Sequence, residues 1–168
     1  MGTAITPQLV DVIDVFSAQR FRSCGATDQL TECRLERWGL SLECPTPEDS
    51  GYDSEIMWFL PDLGLRLSRL RTRKRHARRS ATVLTAFNVE WDTQSWRTTN
   101  LLLGLELPED GPARVVRAEE FGDAVSEGAI RLSEADYAFR TVHRTLSELG
   151  HHRDLNQWLA FRGVFDTW

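Results

Sequence analysis

Two β-like stretches of the sequence carry amide and carboxylate side chains at spacings that could serve a metal ion. Asn88 and Glu90 alternate with apolar residues in the first stretch, and Asn100 and Glu106 alternate with leucines in the second. If the two stretches pair as a hairpin, we expect these four side chains to line one polar surface. Oxygen ligands of this kind are the ones that Mg²⁺ and Mn²⁺ prefer.

Two more carboxylates, Glu119 and Glu120, begin a predicted helix and could approach the same surface. The candidate metal ligands are therefore Asn88, Asn100, Glu106, Glu119 and Glu120. The alternative interpretation of the pattern is an ordinary solvated face of a sheet.

A dense basic segment is the second chemical feature of the sequence. The chain has 20 basic and 25 acidic residues, and eight of the basic ones lie within one short segment. They are Arg66, Arg69, Arg71, Arg73, Lys74, Arg75, Arg78 and Arg79. This concentration of charge indicates candidate phosphate-binding residues, for a nucleotide or for nucleic acid. A solvated loop and a membrane-surface segment are the alternatives, and the absence of interleaved aromatic residues disfavours single-strand stacking.

Alternating apolar residues predict strands through the first two-thirds of the chain. Residues 32–36 and 38–42 carry their apolar side chains at odd and even positions respectively, which predicts a bulge or bend near Arg37 or Gly39. Residues 56–60 and 63–70 predict two strands or one long bent strand, and residues 82–91, 96–107 and 113–116 predict three more. No strand is assigned before residue 32.

The periodicity becomes helical after residue 117. A first helix begins at Ala118, a second begins with Ser133 as its N-cap and Asp136 in the capping box, and a third surrounds Trp158. Strands followed by helices predict an α+β fold, in which C-terminal helices cover an antiparallel, barrel-like sheet. We expect a single domain over residues 1–168, with the barrel in 1–116 and the helical part in 117–168.

Length and composition bound the class of protein. The 168 residues are 41% hydrophobic and 27% charged, which is ordinary for a globular domain and excludes disordered and collagen-like chains. The sequence has neither an apolar run of membrane-spanning length nor a secretory signal pattern, so we expect a cytoplasmic protein that does not enter membranes. Three cysteines at spacings that match no zinc pattern indicate neither a disulfide framework nor a zinc site.

Several motifs, in order, resemble the domain-of-unknown-function 402 family, which includes FomD-like and nucleoside tri-/diphosphatase-like proteins. The resemblance covers roughly residues 56–149, and the stretches that carry it are WFLPDLGLR at 58–66, FNV at 87–89, WRTTNL at 96–101, VVRAEEF at 115–121 and AVSEG at 124–128. It implies a compact antiparallel barrel with C-terminal helices. It also implies a divalent-metal site, with Mg²⁺ or Mn²⁺, that hydrolyses nucleotide phosphates held by basic side chains.

The sequence departs from the family at the positions that would hold the metal. The family's run of three aspartates corresponds to Asn100, Leu102 and Gly104, and Arg117 stands where the family has the first aspartate of its acidic helix start. We therefore expect weak or absent metal binding, and a weakened or non-catalytic member that binds phosphates or nucleotides. The alternative is a module that binds nucleic acid or protein through the basic segment, and the sequence leaves enzymatic activity open.

Overall fold

The computed structural model describes residues 9–72 and 80–165. They form ten strands and three α-helices, with short 3₁₀ turns at Glu48–Ser50 and Pro61–Leu63. The strands are β1 (Val10–Asp14), β2 (Gln19–Arg22), β3 (Thr27–Gln29), β4 (Glu32–Glu36), β5 (Gly39–Pro45), β6 (Ser54–Leu60), β7 (Leu65–Arg71), β8 (Thr82–Trp91), β9 (Ser95–Leu107) and β10 (Arg114–Val116). The helices are α1 (Ala118–Ser126), α2 (Leu132–Leu149) and α3 (Leu155–Phe161).

All ten strands belong to one antiparallel sheet. Its order is β3-β2-β1-β9-β8-β7-β6-β5-β4, and β10 pairs with the second half of β9. The described strands do not close the sheet, but its two outer strands, β3 and β4, follow each other directly in the chain. The connection is anchored on both sides, because Leu30 N–H donates to the Ala18 carbonyl (2.8 Å) and Thr31 N–H donates to the Glu43 carbonyl (2.9 Å). The sheet therefore curls into an open barrel, and the predicted fold class is confirmed.

The sheet buries apolar side chains on both of its faces. The inner face forms a core inside the barrel that includes Ile13, Met57 and Phe59. The outer face packs under the helices through the leucines of β7, β8 and β9 together with Trp158 of α3 and Val142 of α2. Because side chains alternate along a strand, the position of each polar residue in its strand decides whether it points into the barrel or under the helices.

The three helices follow the last strand, as predicted. Trp158 anchors α3 against α2, since its indole N–H donates to Glu148 Oε2 (3.0 Å) while its ring is buried in the core. Within the described ranges, none of the helices combines the length and apolarity needed to cross a membrane.

Near Arg37 the apolar residues change from odd to even positions, and the structure gives this change a different cause from the one predicted. The prediction of a bulge or bend in one strand is wrong, because β4 and β5 form a hairpin in which Glu36 pairs with Gly39. A two-residue turn at Arg37 and Trp38 reverses the chain. The turn thereby shifts the inward-facing set from odd to even positions.

Two other local predictions also need correction. Helix α2 begins earlier than predicted, with Arg131 as the N-cap, and Glu134 instead of Asp136 completes the capping box. The Glu134 carboxylate accepts the Arg131 N–H at 2.9 Å, and Asp136 pairs with Arg140 on the helix surface. Strands β1 to β3 were not predicted. Strands β2 and β3 are short and polar, whereas the Val-Asp-Val alternation of β1 at residues 10–12 is a strand signal that was missed.

Candidate anion-binding site

The hairpin of β8 and β9 separates the two asparagines of the predicted metal surface. Asn88 pairs with Thr99, whereas Asn100 pairs with Phe87, whose ring is buried inside the barrel. Since paired residues share a face and neighbours along a strand alternate, Asn88 and Asn100 point to opposite sides of the sheet.

The remaining candidate ligands are exposed or engaged with other groups. The Asn100 side-chain oxygen accepts the backbone N–H of Leu102 at 2.8 Å. Glu106 pairs with Arg114, and Glu120 pairs with Arg117 at 2.6 Å. Glu119, in the first turn of α1, is exposed. The part of the chain that the structure describes holds no group of three His, Cys, Asp or Glu side chains arranged for a metal ion, so these residues do not fit a divalent cation as they stand.

The backbone of β9 is irregular where the family's aspartates would lie. Leu102 has a left-handed backbone conformation (φ +68°), and the pairing with β8 shifts between Thr85 and Phe87. Gly104 lies so close to β8 that a Cβ atom there would meet the Leu84 carbonyl oxygen at 2.5 Å. The irregularity turns Leu102 toward α1, where it packs against Ala124.

The described part of the basic segment divides between the two faces of β7. Arg69 donates to the Thr82 hydroxyl at 2.8 Å, and Arg71 pairs with Glu43 at 3.4 Å, both outside the barrel. The other five predicted phosphate-binding residues, Arg73, Lys74, Arg75, Arg78 and Arg79, lie outside the described residues. Their role therefore stays a prediction.

Arg66 points into the barrel. It pairs with Phe59 on β6 and with Thr85 on β8, and the Phe59 ring belongs to the inner core. Its Nε atom is buried and has no hydrogen-bond partner among residues 9–72 and 80–165. The side chain is closely surrounded by protein yet keeps some solvent-accessible surface, as expected in a cleft.

The surroundings of Arg66 do not neutralise its charge. Burial lowers the pKa of the Arg66 guanidinium below its ordinary value, and attraction to Glu55 offsets only part of this effect. Asp11, the other nearby carboxylate, is already bound to the Arg20 guanidinium by hydrogen bonds of 2.6 and 2.9 Å. Arg66 thus has an unused buried donor and an incompletely balanced positive charge, and a bound anion would satisfy both.

Arg117, at the start of α1, is close enough to affect the charge of Arg66, although it is exposed and paired with Glu120. Arg117 repels the Arg66 charge and thereby contributes to the lowering of the Arg66 pKa. It is the N-cap of α1 in a left-handed conformation (φ +60°), and no side chain caps the helix there. The uncapped N–H groups favour an anion, but Glu119 and Glu120 in the same turn oppose one, so the buried donor of Arg66 remains the observation on which the site rests.

Sequence analysis found Arg66 but missed the groups around it. Arg20 and Asp11 belong to strands that were not predicted, so nothing linked them to Arg66. Arg117 was noted only as a lost aspartate, although the replacement of an acid by a base is itself a signal for an anion. Because side chains alternate along a strand, the sequence already places Arg66 on one face of β7 and Arg69 and Arg71 on the other.

The open barrel with C-terminal helices is the fold of two solved structures. A protein of unknown function DUF402 from Rhodococcus sp. RHA1 superposes with a TM-score of 0.86 and 23% sequence identity, over 96% of this chain and 98% of that one. FomD, in its complex with CDP, superposes with a TM-score of 0.61 and 11% identity, over 99% of this chain and 95% of that one. No family model and no curated protein matches the sequence. The resemblance to the DUF402 family is therefore shown at the level of the fold.

Proposed function

We propose that this protein binds the phosphate groups of a nucleotide inside the mouth of the barrel, and that arginines supply the positive charge there. The observation that carries the proposal is the buried, unpartnered Nε of Arg66. Leaving such a donor unsatisfied costs free energy, and a phosphate oxygen would accept its hydrogen bond.

The exchange of charges near α1 supports a site that does not depend on a metal. In the family that the chain resembles, aspartates and a divalent cation would face the substrate. Here Arg117 stands at one of those positions and Asn100 at another. A guanidinium neutralises phosphate directly and can bind it through two parallel hydrogen bonds.

A nucleoside diphosphate is the ligand class that the proposal names. FomD, which shares the fold, has been solved with CDP. A diphosphate carries anionic oxygens on two phosphates, so we expect one phosphate to accept the Arg66 hydrogen bond and the other to compete with Glu120 for Arg117. Because no described group of ligands fits a cation that would activate water, we expect binding without rapid hydrolysis.

Isothermal titration calorimetry of the full chain with CDP tests the proposal. We expect binding in EDTA, with little gain when Mg²⁺ or Mn²⁺ is added. Arg66→Met keeps an unbranched side chain as far as about the position of Nε and removes the guanidinium charge, so it should weaken binding about ten-fold or more. Arg97→Met, at an exposed arginine of β9, is the matched control and should bind CDP as the wild type does.

Three results would count against the proposal. Absence of CDP binding at low salt refutes it, as does equal binding by Arg66→Met and the wild type. Binding that requires Mg²⁺ or Mn²⁺ would restore the metal-dependent hydrolase interpretation. A short DNA duplex is titrated in parallel, and preference for the duplex would favour the nucleic-acid module.

A further inference from the structure

Helix α2 leaves an apolar stripe on its outer face. Leu132 is 80% exposed, Phe139 is 62% exposed and Leu146 is 40% exposed. The buried side of the same helix, which includes Ala138, Thr141 and Val142, lies next to the stripe and packs against the sheet. Leu132 and Phe139 are open to solvent, and Leu146 also borders the cleft between α2, α3 and the sheet.

The spacing of the stripe makes it self-complementary. Its three members are seven residues apart, and a heptad step drifts by only about 20° around an α-helix, so they form one nearly straight row. The row is symmetric about Phe139. An identical row running in the opposite direction therefore places Leu132 against the Leu146 position and Phe139 against its own counterpart.

We propose that a second copy of this chain docks on the stripe, with the two α2 helices antiparallel and a two-fold axis at Phe139. Such an interface is isologous: the same patch is used by both subunits, and the contact closes without growing into a filament. The seam between paired helices uses two apolar positions per heptad, and the stripe supplies one of them, so the contact is narrower than a coiled-coil seam. The proposal does not depend on the function of the barrel, since none of the arginines proposed to bind phosphate lies on α2.

The charges beside the stripe complement one another in this arrangement. Asp136 and Arg140 lie on the same flank and form an intrahelical pair at 2.8 Å. His143 lies on that flank too, with its ring stacked beside Phe139 at a centroid distance of 6.4 Å. When two antiparallel helices are related by the two-fold axis, like flanks meet. Asp136 then faces His143 of the partner subunit and Arg140 of the partner subunit, and both contacts occur twice.

The size of the patch predicts a weak, reversible dimer. Three apolar side chains and their flanks from each copy bury roughly 800 Å² in total, which is below the range of standard stable interfaces. We therefore expect dissociation constants in the tens of micromolar, so that dilution separates the subunits.

Sedimentation velocity of the full chain over a wide concentration range tests the dimer. The monomer mass is 19.2 kDa, and the weight-average mass should rise toward twice that value between about 10 µM and about 500 µM protein. Phe139→Glu brings two carboxylates together on the axis and should abolish the rise. Phe16→Glu changes an aromatic side chain that is 77% exposed on a different surface, and it should leave the rise intact.

A charge exchange separates this geometry from loss of folding. Asp136→Arg alone should weaken the dimer at least several-fold, because it faces the basic groups of the partner. Asp136→Arg combined with Arg140→Asp restores opposite charges between positions 136 and 140, within and across the helices. It leaves a basic side chain facing His143 of the partner subunit, so it should recover part of the association. Far-UV circular dichroism confirms that each variant is folded.

Cysteine cross-linking checks the position of the axis. With Cys24 changed to Ser, Phe139→Cys should form an intermolecular disulfide on mild oxidation, because residue 139 faces its own counterpart. Phe16→Cys in the same background should remain monomeric. The proposal is refuted if the mass stays at that of a monomer throughout the range, or if Phe139→Glu associates as the wild type does. A monomer would leave the stripe to a different partner.

Discussion

Replacing Arg66 should change stability and ligand affinity in opposite directions. In the free protein its guanidinium is enclosed, its Nε lacks a hydrogen-bond partner, and burial lowers its pKa. A side chain in these conditions opposes folding. Arg66→Met retains most of the aliphatic contacts against Phe59 and Thr85 and removes the buried charge.

The expected gain in stability follows from the one unsatisfied donor. Burial of an unpaired polar group costs about 1 to 3 kcal/mol, and the remaining solvent access of Arg66 reduces that cost. We therefore expect Arg66→Met to raise the free energy of unfolding of the free protein by about 1 kcal/mol. A charge-assisted hydrogen bond to phosphate is worth about 1.5 to 3 kcal/mol, so CDP affinity should fall by one to two orders of magnitude.

Urea unfolding followed by tryptophan fluorescence measures the first quantity, with and without CDP. The wild type should gain stability on addition of the nucleotide, and the variant should gain much less. Arg97→Met should respond as the wild type does. If Arg66→Met lost more than about 1 kcal/mol of stability without nucleotide, Arg66 would be a structural residue and the reasoning would be wrong.

Three further predictions concern single groups. Arg117→Asn should raise the free energy of unfolding by about 1 kcal/mol, because asparagine adopts the left-handed conformation at lower cost than arginine and the exposed pair with Glu120 that is lost contributes little; thermal denaturation that shows no gain contradicts this. Glu148→Gln should lower the free energy of unfolding by about 1 kcal/mol near pH 7, because it weakens the hydrogen bonds from Arg162 and Trp158. Burial alone would raise the pKa of Glu148, but hydrogen bonding from Arg162 helps to hold it below 4.5, so this stabilisation is present above that pH and lost as the pH falls further. Urea unfolding of Glu148→Gln and of the wild type should therefore give the same free energy of unfolding in acid. A difference between the two proteins that does not change with pH would refute this role of Glu148. Burial raises the pKa of the Cys33 thiol to about 11, so iodoacetamide near pH 8 should modify exposed Cys24 well before Cys33, as mass spectrometry can show; equal rates would count against it.

The architecture was largely readable from the sequence, and the site was not. Strands β8 and β9 carry apolar residues over ten and thirteen positions, so each is recognisable from its own stretch of sequence. Strands β2 and β3 contribute little apolar surface, whereas β1 buries Ile13, and all three are held by pairing with β9 or with one another. Local patterns carry no information about such pairing, and this is why Arg20 and Asp11 escaped the sequence analysis.

The sequence by itself determined an α+β fold and the order of strands and helices from residue 32 onward. Through the family resemblance it also indicated that Asn100, Leu102 and Gly104 stand where aspartates are implied. The fold class and the order of elements follow from residue types and from the spacing of apolar residues, which repeats every two residues in strands and every 3.6 in helices. These patterns involve only a few neighbouring residues. Only the tertiary structure decided that Arg66 lies inside the barrel beside Arg117 while Arg69 and Arg71 lie outside it. It also decided that Asn88 and Asn100 face opposite ways. Register, bulges and the curl of the sheet set these positions through contacts between residues far apart in the chain, and a one-residue shift in register would reverse each of them.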